Sequence, residues 1–164
     1  MAQGSYTVQR STTIAAEPQR VYDYVADFHQ WVAWSPWEGL DPNLHRIYSG
    51  PDSGTGATYA WMGNRKAGSG KMEITHADSD RVTIDLRFDK PYKQSSVTEF
   101  VITPQGSDRT TLTWSMTGPQ TVMIKIMGVF SSMDSLIGKD FERGLAQLKS
   151  LLETDAARGA TPGG

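Results

Sequence analysis

The chain opens on alternation. In "SYTVQRSTTI", Tyr6, Val8 and Ile14 share one parity, the period-two pattern of a strand with one dry face. The pattern then changes. Glu17-Pro18 reads as a helix start, because proline fits a first turn in which its missing N–H has no partner to lose. Val21, Tyr22 and Val25 follow at helical spacing. Asp27 reads as the cap of a second short helix carrying Phe28, Trp31, Val32 and Trp34, which Ser35-Pro36 ends. From Leu44 the period of two returns in "LHRIYSG", "ATYAWMG", "GKMEITHA", "RVTIDLRFD", "QSSVTEFVIT" and "TTLTWSMTG". Their joins, "PDSGTG", "DSD", "KPYK" and "PQGSD", are turn chemistry. Short joins between consecutive strands mean antiparallel hairpins. After Gly118-Pro119 the period is helical again. Met133, Ile137, Phe141, Leu145, Leu148 and Leu152 form one apolar stripe, with Asp140, Glu142, Arg143 and Lys149 off it.

This order predicts an α+β fold: a seven-stranded antiparallel sheet, two short helices after its first strand, and a long C-terminal helix whose stripe is buried on one sheet face. Parity then sorts the strand residues. The dry face collects Met72 and Ile74; Val82, Ile84, Leu86 and Phe88; Ser96, Thr98, Phe100 and Ile102; and Leu112, Trp114 and Met116, with Tyr59 and Trp61 beside them. No Asp, Glu, Lys or Arg is in that set; Glu73, Asp85, Arg87 and Glu99 fall on the opposite parity. Ser96 and Thr98 stand out, since a buried hydroxyl needs a partner. His76 shares the inward parity at a strand end, beside the turn "ADSD".

Composition narrows the classes. With 164 residues the chain has the length of one domain, expected to span 1–153 and to be succeeded by a disordered Gly/Pro-rich tail over 154–164. There is no cysteine, which excludes disulfide and thiolate chemistry and suits the cytoplasm. Net charge is −2, with Lys and Arg scattered, so no nucleic-acid partner is expected. No signal peptide is visible in "MAQGSYTVQRSTTI". The most apolar window, "TVMIKIMGVF", is interrupted by Lys125 and reaches roughly half the ~20 residues of a membrane span, so stable membrane insertion is not expected.

Searches for reactive motifs return little. His29, His45 and His76 lack ligand spacing, so neither metal nor cofactor is expected. "GNRKAGSGK" puts Ser69 where a phosphate loop requires lysine, and reads as a hairpin loop whose Arg65 and Lys66 are solvated. There is no G-x-S-x-G. A buried general acid or base would be a titratable group in the pocket, and the strands offer only His76. Asp23, Asp27, His29 and His45 read as surface caps and ion pairs.

The run "WSPWEGLDPN", the stretch "SGPDSGTGATYAW", "TLTWSMTGP" and the closing "IGKDFERGLAQLKSLLE" resemble the polyketide cyclase/dehydrase-like group of the START-like (SRPBCC, Bet v 1-like) superfamily. The resemblance runs from about Tyr6 to Glu153. It implies a helix-grip fold, in which a curved sheet wraps the long helix and encloses a cavity. The cavity is implied by the resemblance alone. The expected ligand is a hydrophobic small molecule of lipid, polyketide or isoprenoid type, held as by a carrier or sensor. The expected contacts are Trp37, Tyr59, Trp61, Met72, Ile84, Leu86, Ser96, Thr98, Phe100, Trp114, Met116, Met127, Phe130, Ile137 and Phe141. A cyclase or dehydratase in the same cavity is the enzymatic alternative, with His76 and Tyr59 as polar helpers; a module that binds another protein and no ligand is the third. Trp31 and Trp34 are expected in the core and Trp37 at the cavity rim. The Met-rich segment 122–133 reads either as a lid or as a packed extension of the long helix. Oligomeric state is not encoded in any of these patterns.

Overall fold

Every alternating run becomes a strand. The computed structural model describes residues 5–36, 41–64, 68–90, 93–119 and 130–159. Strand β1 (Ser5–Ile14) leads into helix α1 (Pro18–Val25) and a 3-10 helix, Gln30–Ala33. Next come β2 (His45–Ser49), β3 (Thr58–Met62), β4 (Ser69–Asp78), β5 (Arg81–Lys90), β6 (Gln94–Pro104) and β7 (Thr110–Pro119). The long helix α2 (Phe130–Gly159) closes the chain. The strands form one sheet in the order β1-β7-β6-β5-β4-β3-β2, with antiparallel pairing throughout. It is the helix-grip arrangement: β1 crosses to pair with β7, and α2 lies along the inner face.

The stripe on α2 does what its spacing predicts. Phe141, Leu145, Leu148 and Leu152 are buried, and Ile137 is half-buried against the same core. Where α2 meets the sheet and the segment after the 3-10 helix, Gly144 leaves room for them. A Cβ there would sit 2.7 Å from Pro36 Cδ and 3.0 Å from Trp114 Cζ3. Its neighbour Arg143 donates to the Pro36 carbonyl at 2.9 Å.

Four expectations change. The second short helix is a single 3-10 turn, and Asp27 serves it locally: its Oδ1 accepts the His29 N–H at 2.9 Å and its carbonyl accepts the Gln30 N–H at 2.9 Å. Three residues per turn puts positions i and i+3 on one side, so Trp31 and Trp34 both point inward while Val32 is exposed. His76 does not face the interior. The β4–β5 register runs Ile74↔Ile84 and then His76↔Thr83, so a bulge at Thr75 flips the parity of the residues beyond it. Ala77 takes the inward place opposite Val82, and His76 turns out to solvent. The inner face is not free of charge at its edges: Arg10 on β1 stands opposite Trp114, and Arg46 on β2 opposite Trp61. Finally, α2 runs on to Gly159, so residues 154–159 continue the helix in place of the expected disordered tail.

Candidate functional site

The registers arrange the inward residues in rows across the sheet. One row is Tyr59–Met72–Leu86–Ser96, the next Ile74–Ile84–Thr98–Met116–Val8, then Val82–Phe100–Trp114 and Ile102–Leu112. Burial changes systematically from row to row. Phe100 and Leu112 retain 0% of their surface, whereas Met72 retains 9%, Ser96 8% and Met116 6%. Beyond them Trp61 and Phe88 are only partly buried. The inner face therefore has a closed end and an open end, with accessible surface concentrated at the latter.

Aromatic packing makes the closed end. Trp114 stacks on Phe141 at 4.0 Å with 9° between planes, and on Phe100 at 5.1 Å and 28°. Trp34 meets Trp114 edge-on at 5.6 Å and lies 4.9 Å from Trp31. The indole N–H groups of Trp31 and Trp34 are both satisfied by α1 carbonyls: Trp31 Nε1 donates to Val25 O and Trp34 Nε1 to Tyr24 O, each at 3.1 Å. Each such ring pair adds about 0.5–1.5 kcal/mol beyond area burial. Trp31 and Trp34 are thus the plug of the core, as their inward spacing suggests. The same packing removes four expected ligand contacts. Ile84, Phe100, Trp114 and Phe141 are shut in the core, and Phe141 covers the indole face a ligand would need.

The open end is built differently. Trp61 lies across Gly70 of the next strand, where a Cβ would meet its Cη2 at 2.6 Å, and contacts Phe88 edge-on at 5.5 Å. Tyr6 lies across Gly118 in the same way, its Oη 2.8 Å from a would-be Cβ. The glycines let rings from neighbouring strands lie flat, so this end presents edges and faces around a floor of Met72, Leu86 and Met116. The Ser96 and Thr98 hydroxyls rise from β6 into that floor. Tyr59 links the ends, 5.8 Å from Phe28 and 6.1 Å from Trp61. Ile137 is the described α2 residue nearest this end of the stripe. Trp37 and Met127, the rim and most of the lid segment 122–133 lie outside the described residues, as does the Phe130 side chain.

No charged side chain is buried among the described residues; the buried polar ones are Ser35, Ser96, Thr98 and Thr110. Of the two inward arginines, Arg10 reaches the surface, where its Nε donates to Glu142 Oε2 at 2.8 Å across a helix face that Gly138 leaves open, while the Nε of Arg46 on edge strand β2 is buried. Sequence parity carried a signal for both, since Arg10 is two residues from Val8 and Arg46 two from Tyr48. Among the described residues, the groups with displaced pKa values, Asp78 and Glu153, lie outside the grip. Asp78 is held below its ordinary value by the Asp80 N–H and by His76, whose Nε2 is 2.7 Å from Asp78 Oδ2. Glu153 is held low by Lys149 and by the Ala15 N–H. A polar cleft of about 210 Å3 lies on the far side of α1, lined by Tyr22, Asp23, Tyr24, Ala26, Asp27, Gln30 and Ser53, and shares no residue with the expected ligand contacts. There Asp23 accepts from Gln19 and Asp27 from the His29 ring, both at 2.8 Å. His45 is exposed on β2. Among the described residues no three His, Asp or Glu side chains come together in a way that would hold a metal.

A curved antiparallel sheet gripping a long helix defines the helix-grip class. Residues 5–153 match the family described as polyketide cyclase / dehydrase and lipid transport, and the chain belongs to that family, within the START-like superfamily. Solved structures agree on the fold. A Thermobifida fusca protein solved by NMR is 20% identical, with a TM-score of 0.67 over 87% of this chain and 90% of that one. A Staphylococcus aureus protein of unknown function is 9% identical, with a TM-score of 0.71 over 94% and 98%. Truncated norcoclaurine synthase from Thalictrum flavum is 12% identical, with a TM-score of 0.64 over 90% and 95%. No curated protein matches the sequence.

Proposed function

We propose that this protein binds a hydrophobic small molecule at the open end of the grip and carries or senses it in the cytoplasm. The observation that carries this reading is the concentration of residual accessible surface at one end of a dry face whose charged side chains, Arg10 and Arg46, stand only on its edge strands. Met72, Leu86 and Met116 supply adaptable apolar contacts, Trp61 and Phe88 supply rings, and Ser96 and Thr98 supply the sparse hydrogen bonds that orient an apolar ligand. The lipid transport named in the family description fits the same site. No described helix is long and apolar enough to cross a membrane.

The test is native mass spectrometry of the purified protein after incubation with a bacterial lipid extract, together with Ser96→Phe, which fills the floor. The expected result is a bound small molecule on the wild type and none on the folded variant. Consistently empty wild-type protein, or equal loading of the variant, rejects the reading.

A cyclase or dehydratase acting here is the second reading, favoured by the cyclase and dehydrase activities in the family description. With His76 outside the grip, such a reaction would rest on holding a reactive chain in a productive fold, with the Tyr59 hydroxyl as its polar helper. Turnover of a poly-β-keto substrate that falls in Tyr59→Phe would support it; turnover unaffected by that change removes Tyr59 from the mechanism.

A further inference from the structure

Lysine and arginine are scattered along the sequence, yet the fold gathers several of them at one end of the sheet. On its outer face, the registers set two rows beside the open end of the grip. The outermost is His45, Met62, Ser69 and Lys90, and the next is Ile47, Ala60, Lys71 and Arg87. A register shift at the start of β4 makes Asp89 the extra residue and gives Lys90 the place opposite Ser69. Lys93 precedes β6 at the same end. Lys71, Arg87, Lys90 and Lys93 are all exposed, as are Met62 at 65% and Ile47 at 54%. Neither row holds an acid. Lys71 stands directly opposite Arg87, and one row further in Glu73 stands directly opposite Asp85. Like charges so placed destabilise a sheet, and opposite charges would stabilise it. Among the described residues no ion pair relieves any of these four cations.

We propose that this corner docks on an anionic membrane surface, Met62 and Ile47 entering between the headgroups and the four cations meeting lipid phosphates. Charge complementarity and distance select that partner. Strand residues advance about 3.3 Å each. Lys71 and Arg87 therefore lie about 7 Å behind the outermost row, within the roughly 8 Å Debye length of physiological salt. Glu73 and Asp85 lie about 13 Å behind it and are screened. The turns at the closed end, which carry Asp52, Asp78, Asp80 and Asp108 with Arg81 and Arg109, are a strand length away. This banding lets a planar anionic surface meet the cations without the acids, which the same charges mixed along each strand would not. Exposed apolar side chains set among cations suit a bilayer interface, where the apolar groups enter and the cations stay with the headgroups. Each basic side chain near such a surface strengthens attachment about fivefold. Docking here would also bring the open end of the grip to the leaflet from which an apolar ligand comes, a consequence that rests on the binding proposed above; the docking itself does not.

Cosedimentation of the full chain with vesicles, no ligand added, is the test. The wild type is expected to bind vesicles of two parts phosphatidylcholine to one of phosphatidylglycerol, to release as salt is raised, and not to bind phosphatidylcholine alone. Lys90→Gln/Lys93→Gln is expected to weaken binding about 25-fold. Met62→Ser, which leaves the charge unchanged, weakens it as well. Arg81→Gln/Arg109→Gln, which removes two charges at the closed end, binds like the wild type. All five positions are exposed, so each variant is expected to keep the wild-type thermal midpoint. No binding to the anionic vesicles, equal binding to the neutral ones, or an equal loss in Arg81→Gln/Arg109→Gln overturns the proposal. Full vesicle affinity in Met62→Ser together with tight binding of soluble polyglutamate assigns the corner to an acidic protein and overturns it too. A chain that docks but comes empty from the lipid extract would reject the ligand and keep the docking.

Discussion

The closed and open ends of the grip share one sheet and one helix, yet they are packed on different principles. At the closed end, rings from four separate segments converge: Trp34 beside the 3-10 turn, Phe100 on β6, Trp114 on β7 and Phe141 on α2. Nothing there remains for solvent or a ligand. At the open end the rings come from adjacent strands and lie over glycines, and the floor is methionine, leucine and two hydroxyls. Difference in burial, more than in apolar character, is what separates the structural core from the proposed binding surface in this molecule. Apolar character alone does not.

The sharpest way to break that contrast is to truncate one ring at the closed end. Phe141→Ala removes a fully buried ring from a stack and is expected to cost about 4 kcal/mol. That is a large share of the ~5–15 kcal/mol that holds a domain together. Urea unfolding would register it, and a loss under about 1 kcal/mol would mean that this end is not tightly packed. At the open end Leu86→Ala is expected to cost less, about 2 kcal/mol, because solvent already touches the site. In a fluorescence titration the same variant should weaken binding of an apolar probe about tenfold, as ~1.4 kcal/mol of contact is removed; unchanged binding would move the site elsewhere.

Glycines sharpen the comparison further. In a helix, alanine is favoured over glycine by about 1 kcal/mol. At Gly144 that gain meets Pro36 and Trp114, which cannot move, and overpacking costs about 1–3 kcal/mol. Gly144→Ala is therefore expected to lose about 1 kcal/mol net. At Gly138 the obstacle is the flexible end of the Arg10 side chain, so Gly138→Ala should be neutral or slightly stabilising in the same unfolding assay. Equal effects at the two positions would contradict the packing described. A subtler test is Thr98→Val, which keeps shape and removes the hydroxyl. Stability should hold or rise, while a ligand that bonds the hydroxyl loses about 1 kcal/mol, roughly fivefold in affinity.

The smallest effect lies on the β1 edge. Glu153 ionises below its ordinary value of 4.5 because Lys149 and the Ala15 N–H bond its carboxylate, with burial opposing them. Its folded pKa is depressed, so the stabilisation is complete above the ordinary value and fades as pH falls through the lower folded one. Glu153→Gln should lower the thermal midpoint slightly at neutral pH and converge on the wild type in acid. A gap between the two that widens on acidification would reverse the assigned sign.

Much of this was legible in the chain. Period-two runs with short polar joins dictate antiparallel strands whatever surrounds them, because alternate side chains must face opposite sides. The α2 stripe from Ile137 to Leu152 comes equally from the helical period, and the inward placement of Ser96 and Thr98 from simple parity. What parity could not carry was any event that resets it. One extra residue at Thr75 turned His76 to solvent. Nor could a pattern of apolar positions say which would be covered. Phe100 and Met72 look alike as inward residues of β-strands, yet one lies beneath the tryptophans and the other at an open rim. The sequence by itself determined the elements, their order and which side of each is dry, since these depend on neighbours along the chain. Only the tertiary structure decided where the dry side closes and where it stays accessible, since that depends on rings delivered from segments far apart in sequence.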